Sequence, residues 1–582
     1  MKFNSVLSLI AIISTMFVSG CGSSSVPINV SVTPTVAAIG TGQTSQFAAA
    51  VSDGSAVTWS ASAGTIDDTG NYTAPSGTPS VTVTVTATST KDRTKSASAT
   101  VNVVARGQVA ATDNVQVALY SISPAAAGKF SVQFGLDTNY ALTTWTQPVP
   151  STGGPVSMFV AGMKGNTLYH MRGVVQFSDG TQYTDPDMTF TTGAYPTAQE
   201  PSLTATTTAG MTPQSGVELL DLVSGGATVA PAVITDLEGN ILWSYNPGIT
   251  STLNPVKLLP NGHIMVNFSQ PVPDGANSIL QEVDLSGKLI WQLTAADLNT
   301  ALAAASCTGC NITVLGTHHD FVMLPSGHLI LLAATQQIIS GTTLVGDVLI
   351  DLDQNHQPVW LWNEFDHLDT SRHPMGTGDW THTNAVIYSP DDGNLIISIR
   401  HQNWLVKVNY NNGAGAGDIL WKLGYQGDFT LAAGGTDPTD WFYAQHGPSF
   451  TTTNTTGQFS LIVFDNGNDR TFPSGQVQCV TTASSSCYST VPVLQIDETA
   501  KTATLAFHDI FTGFSYFGGN AEVLKNGNAE FCITNQAEVQ EVTQDSNAKV
   551  VWGIHAAMDP TGAFPFLYRG QRIPSLYPGV QW

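Results

Sequence analysis

The chain has 582 residues, of which 42% are hydrophobic and only 11% charged, and its formal net charge is −23. So acidic a balance excludes a nucleic-acid binder, because phosphate contacts need clustered Lys and Arg. Its length and apolar content supply core for several domains.

Residues 1–20 read as an export signal. Lys2 is a short positive region, and Val6 to Val18 is an apolar run of 13 residues, too short for a transmembrane helix. Val18-Ser19-Gly20-Cys21 resembles a bacterial lipobox, which implies lipidation of Cys21 ahead of a polar Gly22-Ser23-Ser24-Ser25 tether. The expectation is an exported protein, lipid-anchored to the cell envelope on the outer-membrane or periplasmic side.

Two β-sandwiches are expected next. Residues 21–106 carry Val/Thr alternation, as in Val81-Thr82-Val83-Thr84-Val85, broken by turn signals. The run from Trp59-Ser60 through Gly64-Thr65-Ile66 to Gly70-Asn71-Tyr72-Thr73-Ala74-Pro75 looks like bacterial Ig-like domains. Residues 107–197 end in Leu168-Tyr169-His170-Met171-Arg172 and Met188-Thr189-Phe190-Thr191-Thr192, a pattern similar to a fibronectin type III module. Modules of both kinds serve more often as spacers than as active parts.

From residue 198 to 582 a longer repeat takes over. One element is a turn and a strand ending in an aromatic residue: Asp236 to Trp243, Asp284 to Trp291, Asp351 to Trp360, Asn409 to Trp421, Asp497 to Phe507 and Gln544 to Trp552. Its partner is a turn followed by an apolar strand, as in Leu259-Pro260-Asn261-Gly262-His263-Ile264 and Leu324-Pro325-Ser326-Gly327-His328-Leu329. Six such units predict a six-bladed β-propeller. Helical periodicity of any length is not expected, so the fold class is all-β.

Six cysteines are read for an oxidising compartment. Cys307 and Cys310 form a short redox pair or a structural clip, Cys479 and Cys487 bracket a Ser/Thr-rich loop as a disulfide, and Cys532 is a buried thiol.

Within the repeat, His318, His382 and His446 recur 64 residues apart. Equivalent positions of successive blades face one axis, so three imidazoles converge on one pocket. The adjacent His319 competes with His318, because a one-residue register error exchanges them. Arg400 ends the strand after His382, and Asp465 ends the next inner strand. An Arg among imidazoles suits an oxyanion, since the guanidinium forks onto its oxygens while imidazoles serve as acid, base or nucleophile. A three-His zinc site is the rival. Arg400 disfavours a dication and no carboxylate accompanies the histidines in sequence, so no metal and no cofactor are expected. His263, His328 and His356 read as solvated turn residues.

At these residues the chain resembles the bacterial arylsulfate sulfotransferases. The resemblance covers roughly residues 215–582 and rests on Asp379-Trp380-Thr381-His382-Thr383-Asn384, Arg400, Gln445-His446-Gly447-Pro448, Phe464-Asp465-Asn466-Gly467 and Tyr568-Arg569-Gly570-Gln571-Arg572-Ile573-Pro574. It implies a six-bladed propeller that moves a sulfuryl group from an aryl sulfate to a phenol without a nucleotide donor. The implied nucleophile is His446, with His382, Arg400 and a histidine at 318 or 319 binding oxygens and handling protons. Asn384, Tyr443 and Asp465 join the expected substrate contacts, with Trp441 and Tyr443 read either as rings that stack on the phenol or as core packing. The family's short-loop disulfide has Cys479 and Cys487 as its counterpart. The two leading sandwiches and the lipid anchor depart from the family pattern, which leaves a homodimer open. A non-catalytic propeller that binds sulfated ligands is the alternative. A quinone-cofactor dehydrogenase is disfavoured by six blades and by the lack of an adjacent Cys pair.

Overall fold

Between Val30 and Val104 the Val/Thr alternation becomes strands with one buried face. In Val81–Ser89, Val83 and Val85 are buried while Thr82 and Thr84 are exposed, the period-two pattern of a half-buried sheet. The computed structural model describes residues 27–582 except 196–200, 224–231, 250–251, 270–276, 377, 433–434, 437–439, 453, 455–456, 469, 471–486, 510, 512 and 558–565. The export signal, Cys21 and Cys479 therefore lie outside the described residues.

The first region has a four-stranded sheet (Val36–Gly40, Ser96–Val104, Val81–Ser89, Val57–Ala61) and a three-stranded one (Thr44–Gln46, Asn71–Thr73, Thr65–Ile66). Phe47, Tyr72, Val83, Val85 and Val101 fill the space between them. The next region pairs Gln108–Ala111, Ala118–Ile122 and Val156–Val160 in one sheet and centres a second on Gly128–Gly135 and Leu168–Phe177. Tyr120, Phe130, Phe134, Met158 and Tyr169 form its core. This second region is bonded to the repeat region: Gln116 Nε2 donates to the Ile241 carbonyl at 2.7 Å, and the Tyr577 hydroxyl donates to the Phe159 carbonyl at 2.7 Å.

Among the described residues, six sheets of four or five strands lie between Ser202 and Ile573. Each has an edge strand in contact with neighbouring sheets, named its inner strand: β1 (Thr252–Leu258), β2 (Gly316–Met323), β3 (Thr383–Ser389), β4 (His446–Phe450), β5 (Ala521–Val523) and β6 (Phe566–Ile573). Consecutive inner strands touch from β1 to β5, the neighbour of β5 (Ala529–Ile533) touches β6, and β6 touches β1. The region's first strand, Ser202–Thr207, pairs with Val550–Ala557 in the last sheet, while β6 completes the first. The two ends of the region thus interlock.

The aromatic strand ends supply further links. Trp243 donates its indole N–H to the Leu285 carbonyl, Trp362 to Gly417, and Trp552 to Leu237, each on the turn of a neighbouring sheet. All three rings are buried, so each link adds a satisfied hydrogen bond to a large apolar burial. In the third sheet it is Trp362, two residues beyond Trp360, that makes the link.

One expectation is corrected. Among the described residues the chain holds one α-helix, Ala295–Ala304. Thr294 and Asp297 form a reciprocal capping box, and Leu298 and Leu302 lie one turn apart on its buried face. A single ten-residue helix is too short to stand out against the surrounding strand periodicity. Cys307 and Cys310 are disulfide-bonded just after it. Cys487 is disulfide-bonded and Cys532 is a buried free thiol.

Arg572 of β6 lies at the junction of the first and last sheets, within 3.3 Å of the carboxylates of Glu218, Glu530 and Glu541. All three are fully buried. Burial, opposed by Arg572 but reinforced by Glu541, pushes Glu530 up to about 7. The folded chain therefore holds that proton more tightly than the unfolded one. The resulting stability is complete below the unfolded value of 4.5 and is lost as pH rises toward about 7. Glu530→Gln should melt with the wild type near about pH 5, where Glu530 is already neutral, and above it near about pH 9. A melting difference that stays constant across that range would contradict this.

Candidate active site

His318, His319 and His446 sit where inner strands break register, and His382 stands one residue ahead of such a break. The breaks fall between Thr317 and Phe321 in β2, between Thr383 and Ala385 in β3, and between His446 and Ser449 in β4. A bulge re-aims side chains and recurs beside active sites. His319 and His382 both have φ 52°, a left-handed value rare for residues with a Cβ and costly enough to cluster at functional sites. These two are 63 residues apart, one fewer than the spacing read from the sequence. Gly447, at φ 42°, follows His446, and a Cβ there would fall 2.5 Å from Asn520. Glycine lets β4 close on β5.

Four imidazoles form one layer. His319 meets His382 edge-on at 4.7 Å, His382 stacks on His401 at 4.7 Å, and Tyr568 lies 6.0 Å from His319 and 6.5 Å from His446. His318 stands behind them. Its Nδ1 is 2.7 Å from His319 Nδ1, and its Nε2 is 2.9 Å from Asp347, off the line a good hydrogen bond needs. The sequence alternative between 318 and 319 thus resolves by orientation: His319 faces His382 and Tyr568, while His318 supports it.

His446 has a defined tautomer. The Asn466 amide nitrogen donates to the carbonyls of Ser515 and Gly518, which turns Oδ1 toward the imidazole. His446 Nδ1–H therefore donates to Oδ1 at 2.6 Å, and Nε2 carries the lone pair. That lone pair meets only a long 3.3 Å contact from the Gly518 N–H among the described residues. Burial, then the Arg400 cation, holds the ring well below the usual imidazole range, against the opposing bond to Asn466. His446 is neutral at neutral pH.

Arg400 follows β3's partner strand in a short 3-10 turn, Arg400–Gln402. It donates to His401 Nε2 at 2.6 Å and to the Tyr516 carbonyl at 3.0 Å. His401 Nδ1 in turn donates to the Asp379 carbonyl at 2.6 Å. Burial, then His382 and Arg400, lowers His401 to about 3, which agrees with a neutral ring whose two nitrogens are both engaged. Arg569 of β6 donates to the Asn384 carbonyl at 2.8 Å and lies 3.3 Å from Asp320. Asn384 donates to the Gln445 carbonyl at 2.7 Å, and its buried Oδ1 has no partner among the described residues. One residue further along the inner strands, Asp320, Ala385, Gly447 and Arg569 line a cavity of about 170 Å³.

The ligand atoms of Asp379, His382 and His401 fall within 4.8 Å of one another. These residues do not fit a metal. His401 has no free nitrogen, its Nε2 accepts from a guanidinium, and His382 Nδ1 is taken by Asp379.

The sequence model of the arylsulfotransferase (ASST) family matches residues 205–560. The chain belongs to the arylsulfotransferase family. With membership come sulfotransferase activity in general and small-molecule aryl sulfates and phenols as substrates. No curated protein sequence matches this arylsulfotransferase. Among solved structures, a protein of unknown function from Bacteroides caccae is 12% identical, covering 61% of this chain and 98% of its own, with a TM-score of 0.36. An apocarotenoid oxygenase mutant from Synechocystis is 11% identical, covering 80% and 94%, with a TM-score of 0.29. Neither is close enough to bear on the arylsulfotransferase's chemistry.

Two expected substrate contacts of the arylsulfotransferase lie elsewhere. Tyr443 is fully buried among Trp421, Trp441, Phe442 and Phe459, which also places Trp441 in core. Asp465 is buried against Arg470 and accepts from the Tyr443 N–H and the Thr490 hydroxyl. Side chains alternate along a strand, so it is Asn466, next to Asp465, that reaches His446. Asp379, Asn466, Tyr568 and Arg569, all within the family motifs, join the site beyond the expected set, and so does His401. Its adjacency to Arg400 was the available signal. His263 and His356 are not free turn residues: His263 pairs with Glu282 at 2.5 Å, and His356 stacks on Trp291 at 3.9 Å.

Proposed function

We propose that this arylsulfotransferase transfers a sulfuryl group from an aryl sulfate to a phenol in two steps through His446. The carrying observation is the Asn466–His446 pair, which leaves a neutral imidazole with its lone pair at Nε2. Nε2 attacks sulfur, the S–O bond to the aryl oxygen breaks, and phenolate leaves. Arg400, held by His401 and the Tyr516 carbonyl, stabilises the sulfuryl oxygens while they carry the charge. An incoming phenol then gives its proton to a neighbouring histidine, its oxygen bonds to sulfur, and the N–S bond breaks with its electron pair returning to His446.

The six sheets are read as blades of a six-bladed β-propeller. The returning inner-strand contacts and the interlocked ends support that reading. Residues 21–106 and 107–197 are read as Ig-like and fibronectin III-like spacers, and Cys21 as a lipid anchor to the cell envelope.

Mass spectrometry of the intact chain after a brief pulse of 4-nitrophenyl sulfate tests the transfer. One sulfuryl adduct on His446, lost on adding phenol, is the expected result; turnover without any adduct would refute the two-step scheme. The tautomer has its own test. Asn466→Leu should lower kcat by about 10²-fold with KM little changed, because the proton is free to move to Nε2. Steady-state kinetics on a variant that retains the wild-type circular dichroism spectrum measures this.

A further inference from the structure

Resting on that reading, a question remains that the nucleophile does not answer: which group supplies a proton to the leaving phenolate and removes one from the incoming phenol. The imidazoles of the layer differ in what holds their Nδ1. His446 is held by a neutral amide, His401 by a backbone carbonyl, and His319 by another imidazole. His382 alone among these four has a carboxylate there, Asp379 Oδ2 at 2.5 Å. Asp379 is itself set by backbone pairing: it bridges Val345, and the flanking Trp380 N–H donates to the Val345 carbonyl at 2.8 Å. Its own carbonyl fixes His401, on whose ring His382 stacks at an interplanar angle of 24°.

We infer that Asp379 is the positioning residue that makes His382 the general acid and base of sulfuryl transfer. A carboxylate on Nδ1–H fixes the tautomer with Nε2 toward the substrate and stabilises the imidazolium once Nε2 is protonated. In the first half-reaction, as the S–O bond breaks, His382 Nε2–H gives its proton to the departing aryl oxygen, so phenol leaves. In the second, Nε2 takes the proton of the incoming phenol as its oxygen bonds to sulfur and the pair in the N–S bond returns to His446. The proton given in one half is regained in the other. The charged or titratable groups that face His382 are Asp379, His319, His401 and His446, with Arg400 behind His401. Of these, burial followed by the surrounding imidazoles or Arg400 keeps His319, His401 and His446 low. For Asp379 burial raises the carboxyl, but His382 outweighs it and holds the acid well below its usual range, so the carboxylate persists throughout.

The test is a leaving-group series. Single-turnover phenol release is measured for Asp379→Asn and the wild type with donors running from 4-nitrophenyl sulfate to unsubstituted phenyl sulfate, and adducts are counted by mass in the same samples. Nitrophenolate leaves without a proton, so its release should change little, whereas phenol release should fall by about 10²-fold or more. Asp379→Glu should recover part of that loss, and its folding is protected because the Asp379 side chain is 36% exposed. An equal deficit across the series, or no deficit, would overturn the proposal. Wild-type turnover with no adduct on His446 would instead overturn the transfer scheme itself.

Discussion

His446→Ala should lose about 10³-fold or more of aryl sulfate to phenol transfer, and no sulfuryl adduct should form. The expectation follows from the site's division of labour. In the proposed scheme His382 exchanges protons and Arg400 stabilises the sulfuryl oxygens, but only the His446 lone pair bonds to sulfur. Removing it leaves direct transfer between two bound phenols, which must both reach one sulfur in line. The fold should survive. His446 is buried, and its loss strands the Asn466 Oδ1, a cost of about 1–3 kcal/mol. Transfer assays and thermal unfolding of the same preparation separate the two effects. Retained transfer in a folded variant would end the assignment of His446 as nucleophile.

Arg572→Met should be the most destabilising of these substitutions, by about 3–5 kcal/mol. The guanidinium joins Glu218 of the first sheet to Glu530 and Glu541 of the last, and it lies 4.5 Å over the Trp552 ring. Methionine fills much of the space but leaves three buried carboxylates without their cation. Removing one partner of a buried ion cluster costs far more than the cluster contributes net, because the remaining charges stay desolvated. The deficit should shrink in acid, where Glu218 and Glu530, both raised by burial, bind protons, and grow as pH rises. Chemical denaturation at several pH values measures it. A loss below about 1 kcal/mol, the size of a surface ion pair, would show that the cluster does not hold the first and last sheets together.

The repeat was legible because each unit must bury an apolar strand and make a turn, which leaves Gly and Asp at fixed offsets, as at Asp236-Leu237-Glu238-Gly239 and Asp284-Leu285-Ser286-Gly287. The same periodicity placed His382, Arg400 and His446 together. It leaves His318 and His319 open because a bulge adds a residue without changing the apolar pattern, and the pattern is the only ruler. Tyr443 and Asp465 were misassigned for a related reason: proximity in sequence to a site residue does not say which way a side chain points. The helix at Ala295–Ala304 escaped because its caps are common residues and its buried face shows only two leucines.

By itself, then, the sequence determined the all-β class, the repeated unit, the family and the residue types gathered at the site, since all of these follow from local patterns. Tertiary structure alone decided which imidazole faces inward and which nitrogen of His446 and of His401 carries the proton. Those choices depend on partners brought from distant strands: Asn466 for His446, Tyr516 for Arg400, and Asn384 for Arg569. A hydrogen-bond partner 20, 116 or 185 residues away leaves no local trace, and it is the partner that sets an imidazole's chemistry.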